Sequence, residues 1–159
     1  MSCRPPCEPG FSRALLHALR GIARAWGGEP HVRWQVAGGW FGLSIAYLAS
    51  LSPFEWAVLL LACGAVLTAQ MFNWAIELVF ETVISEYHPI VKSAKDAAAG
   101  AVLVTAVAGA SVFALVLVPS HLRIAERFSL VLHRQPWFLG LWLAVFFALC
   151  WICFRPRHS

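Results

Sequence analysis

The feature that most constrains this chain is a run of twenty-two residues, Ala97–Val118, without a charged side chain. A helix needs about 20 apolar residues to cross a bilayer, so this run is long enough. Of the 159 residues, 60% are hydrophobic and 13% are charged, against about 25% charged in soluble domains. A small soluble domain buries only roughly two-thirds of its unfolded surface. The sequence therefore excludes a soluble enzyme, a disordered tail or a nucleic-acid-binding arm and predicts a membrane protein.

Three further apolar runs accompany this one, at about Val36–Leu51, Phe54–Phe80 and Trp137–Phe154. The first is short for a span and needs help from flanking residues or a thinned bilayer. A turn at Ser52-Pro53 separates it from the second. Ahead of them, Phe11–Trp26 carries apolar residues on one side and arginines mainly on the other, as in helices that lie on an anionic membrane surface. The fold class predicted is an all-α, polytopic membrane helical bundle, with an N-terminal amphipathic surface helix, three core transmembrane helices and a fourth C-terminal one.

The distribution of basic residues predicts the orientation of this bundle. With four spans, nine of the twelve Lys and Arg residues fall on one side of the membrane, in the N-terminal arm, the 81–96 loop and the C-terminal tail. Arg123, Arg127 and Arg134 fall on the other side. Because cytoplasmic loops carry the excess of Lys and Arg, the N-terminus, the 81–96 loop and the C-terminus are predicted to be cytoplasmic.

The second apolar run contains four polar residues that share one helix face: Gln70, Asn73, Glu77 and Glu81. At about 100° per residue they lie within about 80° of one another. Hydrogen bonding between helices would account for the amides. Two carboxylates on one face require a neighbouring cation or protonation. Because Mg²⁺ takes one or two carboxylates and leaves other positions to water and phosphate, this stripe favours a metal site over a structural one.

The stripe leads into a polar segment on the predicted cytoplasmic side, Ser85-Glu86-Tyr87-His88-Pro89, followed by Lys92, Lys95 and Asp96. Lysine beside a metal-binding carboxylate suits a polyphosphate, since both cations share the charge that develops in phosphoryl transfer. Neither soluble phosphate-binding loop, GxxxxGK[ST] or GxGxxG, is present. Taken alone, the lysines are an ordinary positively charged flank of a span.

Three short motifs resemble a known signature: Asn73-x-x-Ile76-Glu77, then Glu86-Tyr87-His88-Pro89, then Ala94-Lys95-Asp96-x-Ala-Ala-x-Ala-Val-Leu103. The pattern is similar to that of the bacterial integral-membrane diacylglycerol kinases, a family that includes the undecaprenol kinases. Upstream, Glu29 followed by Arg33 also resembles the family's entry to its first span. The resemblance covers about residues 11–118. It implies a homotrimer that transfers the ATP γ-phosphate to a lipid hydroxyl at the cytoplasmic face of the bacterial inner membrane.

The resemblance also implies roles for individual residues. Glu29 and Glu77 match the family's divalent-metal ligands, which hold Mg²⁺ beside the nucleotide, and Asn73 matches a polar residue next to the metal. The other positions that match the family's nucleotide contacts lie in the polar segment and on the surface helix: Glu86, Tyr87, His88, Lys95, Asp96 and His17. On the surface helix the match is loose, and it includes Arg13 as well as His17.

One position departs from the family pattern. Gln70 stands where relatives carry a glutamate that is proposed to accept the proton of the lipid hydroxyl. A neutral amide is far too weak a base for this, although it can hold the hydroxyl by a hydrogen bond. Two hypotheses follow: a lipid kinase that acts by positioning and charge stabilisation, or a catalytically impaired homologue that keeps nucleotide and metal binding. A transporter or channel is disfavoured, because Glu77 and Glu81 lie too near the cytoplasmic end to line a complete path.

The chain is predicted to have three parts: an N-terminal arm at 1–10, a lipid-kinase-like membrane domain at 11–118, and an extension at 119–159 with the extra helix. The extra helix is interpreted as a lipid-facing anchor because it is rich in aromatic residues. Five cysteines, an odd number, fit a disulfide framework poorly. The sequence does not identify the lipid acceptor beyond diacylglycerol or undecaprenol.

Overall fold

The computed structural model describes residues 10–83, 88–134 and 136–154. Every regular element in these ranges is helical, which confirms the all-α prediction. The order is α1 (Phe11–Gly28), α2 (Pro30–Leu48), α3 (Pro53–Val83), α4 (Pro89–Leu117), a 3₁₀ turn (Val118–Ser120), α5 (His121–Arg134) and α6 (Pro136–Phe154). The first nine residues, with Cys3 and Cys7, lie outside the described residues.

Proline and a capping side chain begin three of these helices. Proline suits the first helical position because its missing N–H would have no partner there. Before α2, the Glu29 carboxylate accepts a hydrogen bond from the His31 backbone N–H, and before α4 the His88 ring accepts one from Ile90 N–H. At α3, Ser52 and Glu55 bond reciprocally through Ser52 N–H to Glu55 Oε2 at 2.7 Å and Glu55 N–H to Ser52 Oγ at 3.3 Å. This capping box confirms the predicted turn before α3.

Helices α3 and α4 form an antiparallel pair at the centre of the bundle. Lys95, near the start of α4, lies 3.5 Å from Glu81, near the end of α3, while Gly109 farther along α4 packs against Val66. Helix α2 contacts this pair on one side and α6 on the other, and α1 contacts α2 and α3. The end where α2 and α4 begin and α3 ends is called the site end below.

Among the described residues, two helical segments are long and apolar enough to cross a membrane: Pro53–Val83, and Pro89–His133 with its 3₁₀ turn. Gly140–Trp151 is a shorter apolar helix. Many of their large side chains are exposed, among them Leu61 and Leu115 at about three-quarters of their surface. Such exposure is what lipid contact requires, and the count of four spans and the surface position of α1 stay predictions.

The boundaries of two predicted spans differ from the helices. Helix α2 ends at Leu48, three residues before the predicted end of the first span, because the chain turns with Ser50 at a positive φ of 52°. Helix α4 begins at Pro89, eight residues before the uncharged run. Charged residues in its first two turns, including Lys92, are compatible with a helix that extends beyond a bilayer's hydrocarbon core. The segment between α4 and α6 is itself helical, as α5.

Candidate functional site

A cavity of about 310 Å³, called the polar cavity below, lies near the site end between α2, α3 and α4. Its polar lining comes from the start of α2 and the second half of α3, and its apolar lining from α4. The lining residues are Glu29, His31, Gln70, Asn73, Glu77, Ala99 and Val102. Four residues predicted for the site therefore meet in one cavity, although Glu29 is 41 positions before Gln70.

The turn between α1 and α2 places Glu29. Gly28 lies so close to Trp74 of α3 that a Cβ at this position would be 3.1 Å from the indole ring. Glycine thus lets the turn approach α3, so that the carboxylate of the next residue lines the same cavity as Glu77. Glu29 is buried, and its Oε1 accepts a hydrogen bond from His31 N–H at 3.1 Å and lies 2.6 Å from His31 Nδ1. Capping and ring contact together fix the orientation of this carboxylate.

Two polar residues of α3, Gln70 and Asn73, are buried on a helix whose other residues are mostly apolar. Only Leu59, Gln70 and Asn73 are buried on this helix. Asn73 Nδ2 donates to Glu77 Oε1 at 2.8 Å, as expected for residues four apart. Asn73 Oδ1 is buried and has no hydrogen-bond partner among the described residues. A buried amide oxygen without a partner costs about 1–3 kcal/mol, so it marks a position where a ligand would be stabilised.

Gln35 is a residue that the sequence analysis does not single out. Its Nε2 donates a hydrogen bond to Gln70 Oε1 at 3.3 Å. This bond links α2 to the residue of α3 that stands where relatives are expected to carry the glutamate base. Gln35 Oε1 is buried, and no partner for it exists among the residues described. The sequence feature that could have indicated Gln35 is its polar amide directly before the apolar run that begins at Val36.

The donor set of the polar cavity fits a magnesium ion that shares its coordination with a nucleotide. Glu29 and Glu77 supply two carboxylates, and Asn73 Oδ1 supplies a neutral oxygen. Mg²⁺ prefers oxygen ligands and retains waters or phosphate oxygens. Over the described ranges, no group of three or more His, Cys, Asp or Glu residues is close enough to hold a metal alone. These residues could therefore hold the ion only with phosphate and water as further ligands.

The other predicted residues do not line the polar cavity. Lys95 pairs with Glu81 at 3.5 Å, Asp96 is exposed, and His88 caps α4 with an exposed side chain. His17 is exposed on α1. Glu86 and Tyr87 lie outside the described residues. Within one chain, the described residues of this set thus lie outside the cavity, on α1 and at the start of α4.

A second cavity, called the apolar groove below, runs between α2, α3 and α4 and has a volume of about 450 Å³. It is lined almost entirely by apolar side chains and glycines, including Gly38, Gly42, Cys63 and Phe113. Gln35 lines it as well and bonds to Gln70 in the polar cavity. The polar cavity and the apolar groove therefore adjoin at the Gln35–Gln70 hydrogen bond.

The fold and the site together define a class: a helical bundle with membrane-length apolar helices and an acidic, amide-rich cavity toward one end. Comparison with known proteins identifies the family. The family model "Prokaryotic diacylglycerol kinase" matches residues 16–117. The chain therefore belongs to the prokaryotic diacylglycerol kinase family, and this membership makes it a lipid kinase, a phosphotransferase. The family and the two apolar helices together indicate a membrane protein.

Individual relatives are moderately similar. The chain is 34% identical over 109 residues to undecaprenol kinase of Bacillus subtilis, covering 69% of this chain and 89% of that protein. It is 32% identical over 103 residues to diacylglycerol kinase of Helicobacter pylori, covering 63% and 80%. With diacylglycerol kinase of Synechocystis it shares 33% identity over 112 residues, covering 70% and 64%. No solved structure matches the chain at comparable significance.

Proposed function

We propose that this protein transfers the γ-phosphate of ATP to the hydroxyl of a membrane lipid, diacylglycerol or undecaprenol, at the cytoplasmic face of the inner membrane. The observation that carries the proposal is the polar cavity, where the carboxylates of Glu29 and Glu77 meet the amides of Gln70 and Asn73. Family membership supplies the reaction class, and the relatives named for these two lipids supply the acceptor candidates.

In this proposal, Glu29, Glu77 and Asn73 Oδ1 hold Mg²⁺ together with phosphate oxygens. The bound ion would neutralise charge on the transferred phosphoryl group. Asn73 Nδ2 keeps the Glu77 carboxylate oriented through the 2.8 Å hydrogen bond. The nucleotide contacts are proposed for polar residues of α1, of the segment that links α3 to α4 in the sequence, and of the first turns of α4: His17, Glu86, Tyr87, His88, Lys95 and Asp96. Glu29 and Glu77 reach the nucleotide through the metal.

Gln70 then acts by position. The lipid hydroxyl oxygen forms a bond to the γ-phosphorus while the bond between that phosphorus and the bridging oxygen of ADP breaks. Since the transition state is loose, the hydroxyl needs little deprotonation early in the step. A phosphate oxygen can take the proton as the new bond forms. A neutral glutamine therefore permits transfer, at a lower rate than a carboxylate base would allow.

The proposal includes the predicted assembly and orientation: a homotrimer with four spans per chain, α1 on the membrane surface and both termini in the cytoplasm. Lys95, Asp96 and His17 do not line the polar cavity of a single chain, which supports an assembly in which a neighbouring subunit completes the nucleotide site. The excess of Lys and Arg near the site end supports the orientation.

The test is a kinase assay of the purified protein in mixed micelles with labelled ATP, Mg²⁺ and either diacylglycerol or undecaprenol. Labelled phospholipid should form with at least one acceptor and should disappear when Mg²⁺ is chelated. A folded, trimeric protein that phosphorylates no lipid alcohol would contradict the proposal. ATP and Mg²⁺ binding without turnover, unchanged by Gln70→Glu, would instead establish the catalytically impaired alternative.

A further inference from the structure

Helix α5 lies at the end of the bundle opposite the site end, called the far end below. Gly42 lies against the ring of Phe113, and both are within the last two turns of their helices, so α2 and α4 end at about the same level. Helix α5 nevertheless contacts α2. Arg123, in its first turn, is close enough to Glu55 at the start of α3 to attract it electrostatically. The chain therefore bends after α4, and α5 packs against the far end.

The length of the helical segment from α4 through α5 is consistent with this bend. Pro89–His133 comprises 45 residues, and a straight helix of that length would measure about 68 Å. A bilayer's hydrocarbon core is only about 30 Å thick. The bend falls at the 3₁₀ turn, Val118–Ser120, where Pro119 lacks the N–H that a continuous helix would use. Helix α5 therefore begins where the apolar part of the bundle ends, at the level expected for a membrane surface.

Helix α5 has one apolar side that the protein covers only in part. At about 100° per residue, four apolar side chains fall within about 100° of one another: Ile124, Phe128, Val131 and Leu132. Ile124 and Val131 are half-buried, but Phe128 and Leu132 are each 46% exposed. A helix with a partly uncovered apolar side, beside helices of membrane length, is typical of segments that lie in the interface of a bilayer.

Arginines border this apolar side. The sequence of α5 contains three arginines and one acidic residue, Glu126. Arg123 and Arg127 are four residues apart, so they share a face, and both are exposed. Arg123 donates to Ser120 Oγ at 2.7 Å, whereas Arg127 has no hydrogen bond or ion pair with any described residue. The predicted orientation puts these arginines on the side of the membrane that usually has few basic residues, and a negatively charged ligand at that surface would account for them.

We propose that α5 lies in the membrane interface at the far end and that Arg123 and Arg127 bind the phosphate groups of anionic phospholipids there. Guanidinium groups suit this ligand because their planar set of donors matches the oxygens of a phosphate. The apolar side of α5 contacts the acyl chains beneath the headgroups. This binding surface belongs to the C-terminal extension and is separate from the candidate site, so it does not depend on the proposed function.

Hydrogen–deuterium exchange measured by mass spectrometry tests the proposal on the full-length protein. The protein is placed in nanodiscs of phosphatidylcholine alone or with phosphatidylglycerol. Exchange in peptides of α5 should be at least about fivefold slower with phosphatidylglycerol, the factor expected from one arginine near an anionic surface. The difference should disappear at about 1 M salt, where the Debye length is about 3 Å. Peptides from residues 57–67, an uncharged part of α3, should exchange equally in both nanodiscs. Equal exchange of α5 in the two lipids would overturn the proposal.

Neighbouring substitutions to glutamine separate charge from local structure. The lipid preference is the ratio of α5 exchange rates in the two nanodiscs. Arg127→Gln should lower this ratio about fivefold, whereas Arg127→Lys should stay within about twofold of wild type because it keeps the charge. Glu126→Gln removes a negative charge at the next position and should leave the ratio unchanged or raise it. A decrease that is equal in Arg127→Gln and Glu126→Gln would overturn the role of the arginine.

A second matched pair tests the apolar side. Phe128 belongs to that side, while Leu130 is 52% exposed on another face of α5. Phe128→Ser should speed exchange of α5 in phosphatidylglycerol nanodiscs about tenfold or more, the scale of removing one large apolar side chain from an apolar environment. Leu130→Ser introduces the same residue and should stay within about twofold of wild type. Equal effects of the two substitutions would contradict insertion of the apolar side.

The two proposals can fail separately. A kinase that phosphorylates lipid but whose α5 exchanges equally in both nanodiscs would overturn the inference about α5 alone. Slower exchange of α5 with phosphatidylglycerol, in a protein that phosphorylates no lipid, would overturn the proposed function alone.

Discussion

Two parts of the chain are helical but pack through different interactions: the part that the family model matches, residues 16–117, and the C-terminal extension. In the matched part, buried amides and carboxylates of α2 and α3 enclose the polar cavity. In the extension, α6 packs on α2 through rings: Phe41 lies 6.1 Å from Trp142 and 5.8 Å from Phe146, measured between centroids. Trp142 and Phe146 are themselves stacked at 5.8 Å.

This difference shows what a site requires beyond an apolar bundle. Glu126, the acidic residue in the described part of the extension, is exposed on α5 and lines neither the polar cavity nor the apolar groove. A carboxylate becomes chemically useful where two helices bury it beside other donors, as they do with Glu29. We expect substitutions in the matched part to change catalysis and substitutions in the extension to change stability.

The largest effect is expected from removing a proposed metal ligand. Glu77→Gln keeps the size of the side chain and removes its charge, so kcat/KM should fall at least about 100-fold, the scale of losing one group that stabilises transition-state charge. Glu126→Gln removes the same charge from the extension and should leave activity within about twofold. Phosphate transfer to lipid measured for both variants checks this. Comparable losses in both would mean that net charge, and not the polar cavity, matters.

A change in the opposite direction is expected at Gln70. Gln70→Glu places a base beside the hydroxyl, and base catalysis contributes about 100-fold or more. The measured kcat should therefore rise by roughly 10- to 100-fold, with a rate that falls as pH drops below the pKa of the new carboxyl. An unchanged kcat in a protein that binds ATP normally would show that another group limits the reaction.

A smaller effect is expected at the turn that places Glu29. Gly28→Val would meet Trp74 at about the 3.1 Å approach of its Cβ and push the turn away from α3. We expect a loss of about tenfold in kcat, since small displacements of catalytic groups are costly. Gly21→Val, on the same helix with nothing within 4 Å of its Cβ, is the control. If both variants lose activity equally, helix propensity and not the close approach explains the loss.

The smallest effect is expected in the extension. Phe146→Ala removes three ring contacts, with Phe41 of α2 and with Trp142 and Phe147 of α6, and each pair is worth about 0.5–1.5 kcal/mol. The Tm should fall by about 2–4 °C for each kcal/mol lost, while kcat changes little. Leu141→Ala, at a side chain that is 59% exposed, should lower the Tm less. Thermal unfolding in the same detergent, combined with the kinase assay, measures both. A large loss of kcat in Phe146→Ala would contradict this expectation and show that the extension contributes to catalysis.

Much of α3 could be predicted from the sequence because its information is local. The spacing of Gln70, Asn73 and Glu77 put them on one face, and the structure has all three lining one cavity. Glu81 was expected on the same stripe but pairs with Lys95. At four residues beyond Glu77 it lies near the helix end, where exposure favours a contact with the next helix over the cavity.

The sequence by itself determined the helical class, the apolar segments and the family, because hydrophobic runs, proline caps and short motifs act over a few residues. Only the tertiary structure decided that Glu29 lines the same cavity as Glu77, that Gln35 bonds to Gln70, and that α6 packs on α2. These contacts depend on how closely two helices can approach, which is set by residues such as Gly28 and Trp74 that are far apart in the chain. The polar cavity therefore forms through packing between helices, whereas four of its lining residues were predicted as site residues from the sequence.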